Sequence, residues 1–327
     1  MTPEEWANTQ LRRAGRVLTE PFQLVRGRAW ATMFRAGTDG GQVWLKVCSP
    51  GTAHEAGLYP ILARHAPGSV LAPLAIEAER GWLLLPHGGP SVREVAGASV
   101  DLGTWERLLG QYAQLQRALA GSVADMLAVG TPMLGPADLP AVRERLLADA
   151  GLVLLGQESG LTDQQLRSLV AAAPAYASDC SELASLGIPL TVQHDDLHDN
   201  NVFAAASPGG PMTVYDWGDA VVGHPFGTLL VTLRVVADAT GLAYGAPGLL
   251  RLRDAYLEAW TGDHDRATLV DAARLAVRVG GVSRADCYRR ALLTATAEQR
   301  AEHADSVPGW LVEQGGPTPL EPATPQG

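Results

Sequence analysis

The sequence QHDDLHDNNVFA, residues 193–204, decides the fold. It holds the densest cluster of polar side chains in the chain, and apolar residues flank the cluster on both sides. A short strand that runs into such a cluster and out again places a polar loop at the mouth of a cleft. Fifteen residues after Asn201, the segment YDWGD at 215–219 repeats the arrangement, since Asp216 also follows an apolar run. The two segments predict two polar loops that face one cleft.

The side chains in these loops match the requirements of phosphoryl transfer. That reaction needs a carboxylate to orient and deprotonate a hydroxyl, oxygen ligands for Mg²⁺, and a cation on the phosphates. Asp196 is the candidate base. Asn201 and Asp216 are the candidate metal ligands, because Mg²⁺ prefers a few hard oxygen ligands. Lys46 is the candidate cation.

Lys46 is the only lysine among the 25 basic residues, and the other 24 are arginines. Where this chain needs only positive charge, it uses arginine. A position that keeps lysine therefore indicates a need for a compact ammonium, which the wide planar guanidinium does not replace.

The N-terminal part of the chain predicts a small antiparallel sheet. Short segments rich in β-branched and aromatic residues are separated by turn signals, of which GTDGG at 37–41 is the strongest. Lys46 falls on the third strand, and PHGGP at 86–90 has the composition of a hinge. The expected strands cover 22–25, 30–34, 43–47, 70–76 and 81–85, and the expected helices cover 4–18 and 52–65.

After the hinge the pattern becomes helical. The sequence predicts three parts: a sheet lobe at 1–89, a helical lobe at 90–314 and a disordered tail at 315–327, which is rich in proline and glycine. The expected helices cover 101–120, 139–155, 162–186, 227–239, 248–261, 267–279 and 283–302, and two short β segments cover 190–193 and 212–215.

The motif HxDxxxxN at 194–201, followed by DWGD and preceded by a hairpin lysine and a hinge, resembles the aminoglycoside phosphotransferase and choline kinase-like family. This resemblance extends over roughly residues 22–300 and implies an α+β, bilobal protein-kinase-like fold, with a small antiparallel-sheet lobe and a larger helical lobe. It implies that the enzyme uses Mg²⁺ and takes its phosphoryl group from ATP or GTP.

The resemblance also assigns roles to individual residues. Asp196 would be the base, and Asn201 and Asp216 would hold Mg²⁺. Lys46 would bind the inner phosphates and pair with an acid on the next helix, for which Glu55 is the candidate. The hinge residues that would lie beside the nucleobase are Pro86, His87 and Gly88.

The chain departs from the family pattern at several positions. Asp195 stands where family members usually have glycine, and Asp199-Asn200 where many have Pro-Gly. The strand hairpin that would cover the phosphates has one glycine, Gly27, beside the bulky Trp30. These changes remove no group that the reaction requires, but they leave the subfamily open.

Composition excludes several other classes of protein. A net charge of −10 argues against a nucleic-acid partner. No apolar run is long enough to span a membrane. The three cysteines are distant from one another and lack metal-site spacing, which favours the cytoplasm. We expect a monomer or weak dimer with a small-molecule partner.

The acceptor and two rival functions stay open at this point. Asp195 and Asp199, expected to be solvated or loop-capping, slightly favour a cationic hydroxyl compound such as an aminoglycoside or a peptide antibiotic over a sugar or amino alcohol. One rival is a catalytically silent nucleotide sensor of the same fold. The other is a metal-dependent phosphohydrolase that uses His194, Asp195 and His198 as ligands.

Overall fold

The structure is a computed structural model that describes residues 1–97, 101–207 and 209–321. Its N-terminal part is a five-stranded antiparallel sheet with the strand order β1-β2-β3-β5-β4. Two helices accompany the sheet, α1 at Pro3–Arg13 and α2 at His54–His65. The strands are β1 Gln23–Gly27, β2 Ala31–Thr38, β3 Gly41–Cys48, β4 Ala75–Glu77 and β5 Trp82–Pro86.

The central strand β3 separates two environments. Because side chains alternate along a strand, Val43 and Leu45 point to one face and pack with Trp6 and Leu11 of α1. The opposite face carries Lys46 toward α2 and the interior of the molecule. The predicted hairpin is present: β2 ends at Thr38 and β3 begins at Gly41, whose φ of +101° suits glycine.

The remaining chain is mainly helical and carries the short strands that support the polar loops. Its strands are β6 Met133–Leu134, β7 Thr191–Gln193, β8 Val202–Phe203, β9 Thr213–Val214 and β10 Val221–Gly223. Its helices are α3 Val92–Ala96, α4 Leu102–Leu119, α5 Val123–Ala128, α6 Leu139–Ala148, α7 Ala150–Val153, α8 Asp163–Ala171, α9 Ala173–Ser185, α10 Leu229–Thr240, α11 Pro247–Leu257, α12 Arg266–Val279, α13 Gly281–Ala291, α14 Ala297–Glu302 and α15 Ser306–Val312.

The short strands bring the two polar loops together. Strand β7 pairs with β10, which begins directly after the second loop. Strands β8 and β9 form a hairpin, so residues 194–201 end beside residues 215–220. None of the helices within the described ranges has both the length and the apolarity needed to cross a bilayer. The antiparallel sheet of the N-terminal part and the mainly helical remainder confirm the α+β bilobal fold.

Several predicted elements have different bounds. Helix α1 ends at Arg13, because the left-handed Gly15 soon follows. The segments 139–155, 162–186 and 283–302 each form two helices instead of one. Strands β6 and β10 and the helices α3, α5 and α15 were not predicted, since segments of two to seven residues show too little periodicity.

Residues 317–321, part of the segment expected to be a disordered tail, pack against the helical lobe. Thr318 and Leu320 are buried, and Glu321 accepts a hydrogen bond from Arg278 at 2.8 Å. The proline-rich composition gave no sign that Leu320 is a buried apolar residue that packs this segment against the helical lobe. Residues 322–327 lie outside the described ranges.

This contact predicts a stabilising role for the segment. Leu320→Ala removes a buried apolar side chain and should lower the free energy of unfolding by about 2 kcal/mol. Leu293→Ala, which truncates a leucine that is 51% exposed, is the matched control and should change stability little. Urea denaturation followed by circular dichroism measures both. Equal stabilities would contradict the packing of residues 317–321.

Candidate active site

A crevice lies between the sheet and the helical lobe. A cavity of ≈ 320 Å³ beneath the sheet adjoins a second cavity of ≈ 250 Å³ that reaches the polar loops. The residues that line both cavities are Arg26, Trp30, Lys46, Asn200, Tyr215 and Asp216. The crevice is therefore continuous from the hinge to the loop at 194–201.

Lys46 joins the two lobes at the centre of this crevice. Its ammonium nitrogen lies 2.5 Å from Oε2 of Glu55 and 2.5 Å from Oδ1 of Asp216. The lysine is 5% exposed and the glutamate is fully buried. Although burial lowers the pKa of Lys46, Asp216 and Glu55 raise it well above its ordinary value, so the ammonium stays charged.

Glu55 has a second contact that ties α2 to the loop at 215–220. Its Oε1 accepts a hydrogen bond from the backbone N–H of Trp217 at 3.0 Å. Burial raises the pKa of Glu55, and the adjacent Lys46 opposes that change. The carboxylate therefore depends on the lysine to remain ionised at this position.

Asp216 adopts a backbone conformation that is unusual for a residue with a side chain. Its φ is +63°, in the left-handed region that favours glycine. Burial alone would raise the pKa of Asp216, but the ammonium of Lys46 outweighs burial and lowers it. Strained aspartates of this kind persist where surrounding contacts fix them. The ion pair with Lys46 is such a contact.

Asp196 and Asn201 lie next to each other in the loop between β7 and β8. The Asn201 amide donates hydrogen bonds to the backbone oxygen of Asp196 at 3.0 Å and to its Oδ2 at 3.2 Å. Burial would raise the pKa of Asp196, but Arg284, followed by His198, lowers it below its ordinary value. The carboxylate is therefore ionised at neutral pH.

The two histidines of the motif brace the loop through their ring nitrogens. His194 is fully buried, with Nε2 2.9 Å from the carbonyl oxygen of Tyr215, and its Nδ1 accepts the N–H of Asp196. His198 accepts the N–H of Asn200 through Nδ1. The contact with Tyr215 connects the loop at 194–201 to the loop at 215–220, and the other two bonds hold the first loop internally.

The three hinge residues expected beside the nucleobase lie in two different environments. Pro86 and His87 line the cavity beneath the sheet. Gly88 packs against Phe203, and a Cβ atom there would lie only 2.1 Å from the Phe203 ring. Gly88 therefore serves close packing between the hinge and β8, and Gly89 lines the cavity in its place.

Asp195 and Asp199 were expected to be solvated or loop-capping, and the structure shows that neither is solvated. Asp195 is 2% exposed and accepts hydrogen bonds from Gln193 and from Ser283, the latter at 2.7 Å. Asp199 is 7% exposed and pairs with Arg93 at 2.6 Å. Both carboxylates hold the loop in place. They therefore give no support to a cationic acceptor.

Sequence reasoning did not find Arg284. This arginine comes from α13, and its guanidinium lies 3.2 Å from Oδ1 of Asp196 and 2.8 Å from Oδ2 of Asp219. It is one of 24 arginines, about 90 residues from the motif, and no spacing rule connects it to Asp196. Its burial, with 4% exposure, is visible only in the fold.

The buried ion triad leads to a prediction about stability. Lys46→Met leaves Glu55 and Asp216 without their cation and should lower the free energy of unfolding by about 3 kcal/mol. The double variant Lys46→Met/Glu55→Gln removes one uncompensated charge and should recover part of the loss. Urea denaturation provides the comparison. A double variant less stable than the single one would show that the lysine does not compensate Glu55.

Comparison with solved structures reports the same fold in small-molecule kinases. Macrolide 2'-phosphotransferase type I aligns over 93% of this chain and 96% of its own, with a TM-score of 0.59 and 16% identity. The amicoumacin kinase hAmiN, in complex with AMP-PNP, Ca²⁺ and Ami, aligns over 99% and 98%, with a TM-score of 0.58 and 14% identity. The aminoglycoside phosphotransferase APH(3'')-Id from Streptomyces rimosus, in complex with ADP and streptomycin, aligns over 86% and 99%, with a TM-score of 0.55 and 16% identity.

These identities are low, so the structural likeness shows the fold. Comparison with curated protein sequences gives no match. Residues 22–279, most of the chain, match the family of phosphotransferase enzymes named APH. The resemblance drawn from the HxDxxxxN and DWGD motifs is therefore confirmed. The chain belongs to the phosphotransferase enzyme family and is a phosphotransferase that acts on an alcohol group.

Proposed function

We propose that this enzyme transfers the γ-phosphoryl group of Mg-ATP or Mg-GTP to a hydroxyl of a small antibiotic or metabolite. The observation that carries the proposal is the contact between Lys46 and Asp216, which join the sheet lobe to the loop that follows β9. Asp196 opens onto the same cavity, so a cation, a metal ligand and a base lie within one crevice.

Lys46 would bind the inner phosphates of the nucleotide. Glu55 would hold the ammonium in place from behind, since its own carboxylate is buried away from the crevice mouth. An ammonium held between two carboxylates is already oriented before the nucleotide arrives, which reduces the entropy lost on binding. Phosphate oxygens would then share the ammonium with Asp216.

Asp216 and Asn201 have free oxygen atoms that suit Mg²⁺. Oδ1 of Asp216 accepts a hydrogen bond from Lys46, and the amide nitrogen of Asn201 donates to Asp196. The other oxygen of Asp216, Oδ2, and the amide oxygen of Asn201 receive no hydrogen bond within the described residues. One carboxylate and one amide oxygen are hard ligands that Mg²⁺ accepts beside phosphate and water. Bound Mg²⁺ would neutralise charge on the transferring phosphate.

Asp196 would orient the acceptor hydroxyl and take its proton. The hydroxyl oxygen forms a bond to the γ-phosphorus while the bond from that phosphorus to the β,γ-bridging oxygen breaks. The nucleoside diphosphate leaves with the electron pair of the broken bond, and the proton passes to the Asp196 carboxylate. The lowered pKa of Asp196 keeps the carboxylate ionised at neutral pH, so it can accept a hydrogen bond from the acceptor hydroxyl.

The nucleobase would lie beneath the sheet, against the hinge residues Pro86 and His87. We propose an antibiotic or a metabolite as the acceptor, with no preference between them. Asp195 and Asp199 were the reason to favour a cationic acceptor, and both are buried.

We further propose that residues 1–89 and 90–314 act as two lobes of a monomer or weak dimer in the cytoplasm, where the three free cysteines would stay reduced.

The two rival functions have less support. Within the described ranges no three His, Cys, Asp or Glu side chains converge on a metal position, which disfavours a phosphohydrolase. His194 also uses both ring nitrogens inside the protein. The silent sensor is disfavoured because the base, both metal ligands and the lysine are all present in the crevice.

A coupled assay of ADP and GDP release tests the proposal. The acceptors to be screened are aminoglycosides, macrolides, amino sugars, choline analogues and homoserine. Asp196→Asn and Asp216→Asn should each lower turnover at least about 10²-fold, because they remove the base and a metal ligand. Asp271→Asn, which changes an exposed aspartate of α12, is the matched control and should retain full activity.

Thermal-shift titration with Mg-ATP and Mg-GTP separates the outcomes. Nucleotide binding without turnover on any acceptor would favour the sensor. Full activity in Asp196→Asn would refute the role of Asp196, and a folded wild-type protein that binds neither nucleotide would refute the proposed function as a whole.

A further inference from the structure

Arg284 is a buried cation beside the proposed base, and none of the roles above includes it. It lies in α13, on the helical lobe, and it lines the cavity that contains Asp196. A buried guanidinium is costly unless carboxylates and further contacts compensate its desolvation. The reason for retaining it at this position therefore lies in its contacts.

The guanidinium joins two carboxylates. One terminal nitrogen, Nη2, lies 3.2 Å from Oδ1 of Asp196, and the other, Nη1, donates a hydrogen bond to Oδ2 of Asp219 at 2.8 Å. Nε is buried without a hydrogen-bond partner in the described part of the chain. Its polar contacts within the described residues therefore come from the two terminal nitrogens.

Aromatic rings restrict the guanidinium further. Its carbon lies 5.5 Å from the ring centroid of Tyr288 and 5.7 Å from that of Trp310 in α15. Cations are attracted to aromatic faces at such distances. Arg284 is therefore held by packing from its own helix and from α15, so it presents a rigid donor to the loop at 194–201.

The opposite oxygen of Asp196 has its own donor. Oδ2 accepts a hydrogen bond from Asn201 at 3.2 Å, and His198 lies 3.4 Å from it. With Arg284 on Oδ1, both oxygens of the carboxylate are fixed from opposite sides. Rotation of the carboxylate would break at least one of these contacts.

We infer that Arg284 is a positioning residue of phosphoryl transfer, which orients the Asp196 carboxylate toward the acceptor hydroxyl and is itself anchored by Asp219. This inference rests on the proposed function. Arg284 acts through Asp196, so its removal should affect the chemical step and leave nucleotide binding intact. A misplacement of the reacting groups by about 1 Å typically costs about 10² in rate.

The test uses the full-length protein and the acceptor with the highest turnover in the nucleotide-release screen. Arg284→Ala should lower kcat about 10²-fold, while the KM for the nucleotide changes less than about twofold. Arg284→Lys should recover little, since an ammonium cannot bridge two carboxylates as the planar fork does. Arg289→Ala, which removes a more exposed arginine from the same helix, should retain wild-type kcat.

Added guanidinium chloride, at concentrations far below those that unfold proteins, distinguishes positioning from a structural role. It should restore kcat of Arg284→Ala at least about tenfold, because the freed space lines an open cavity and the cation can occupy it. An equal concentration of sodium chloride should not. Asp219→Asn should give a smaller loss of kcat, since the anchor weakens while the contact with Asp196 remains.

The outcomes distinguish a failure of the inference from a failure of the proposed function. If the wild-type protein shows no turnover on any acceptor, the proposed function fails and the inference fails with it. If the wild type turns over and Arg284→Ala keeps its kcat, the inference alone is overturned. A loss of kcat without guanidinium rescue, with a matching loss of folded protein by circular dichroism, assigns Arg284 a structural role and also overturns it.

Discussion

The fold depends on one buried cluster of charges in which Lys46 lies between Glu55 and Asp216. The ammonium comes from the central strand of the sheet, one carboxylate from α2 and the other from the loop after β9. Charges removed from water are tolerated only when partners compensate them. The sheet, the helix and the loop must therefore keep their relative positions, and the crevice between the lobes follows from that requirement.

The same cluster supports the proposal that the crevice binds a metal-bound nucleotide. With all three groups ionised, it carries one more negative charge than positive, and one oxygen of Asp216 has no donor within the described residues. A divalent cation with its phosphates would complete this charge pattern. The strained backbone of Asp216 and the inward-turned Asp195 are held by surrounding hydrogen bonds and ion pairs, which prepare the site before any ligand binds.

The sequence predicted the parts of the site that are local in the chain. The spacing of Asp196, Asn201 and Asp216 placed them on adjacent loops, and the single lysine in an arginine-rich chain marked Lys46 as special. Three features were beyond prediction for physical reasons. Asp195 and Asp199 are aspartates in a polar loop, and only the fold shows that they face Ser283 and Arg93. Arg284 reaches Asp196 from a distant helix, and Leu320 anchors a segment whose composition indicated disorder.

Because Lys46 is the only lysine, its side chain reports directly on the ion cluster with Glu55 and Asp216. Protein produced with ¹⁵N,¹³C-labelled lysine gives one lysine Nζ signal by NMR, which therefore belongs to Lys46. Titration with Mg-AMP-PNP should shift it saturably, and Asp216→Asn should shift it before nucleotide is added, because the ion pair between Lys46 and Asp216 is lost. A lysine signal that is unchanged both by saturating Mg-AMP-PNP and by Asp216→Asn would contradict a nucleotide site built on this ion cluster.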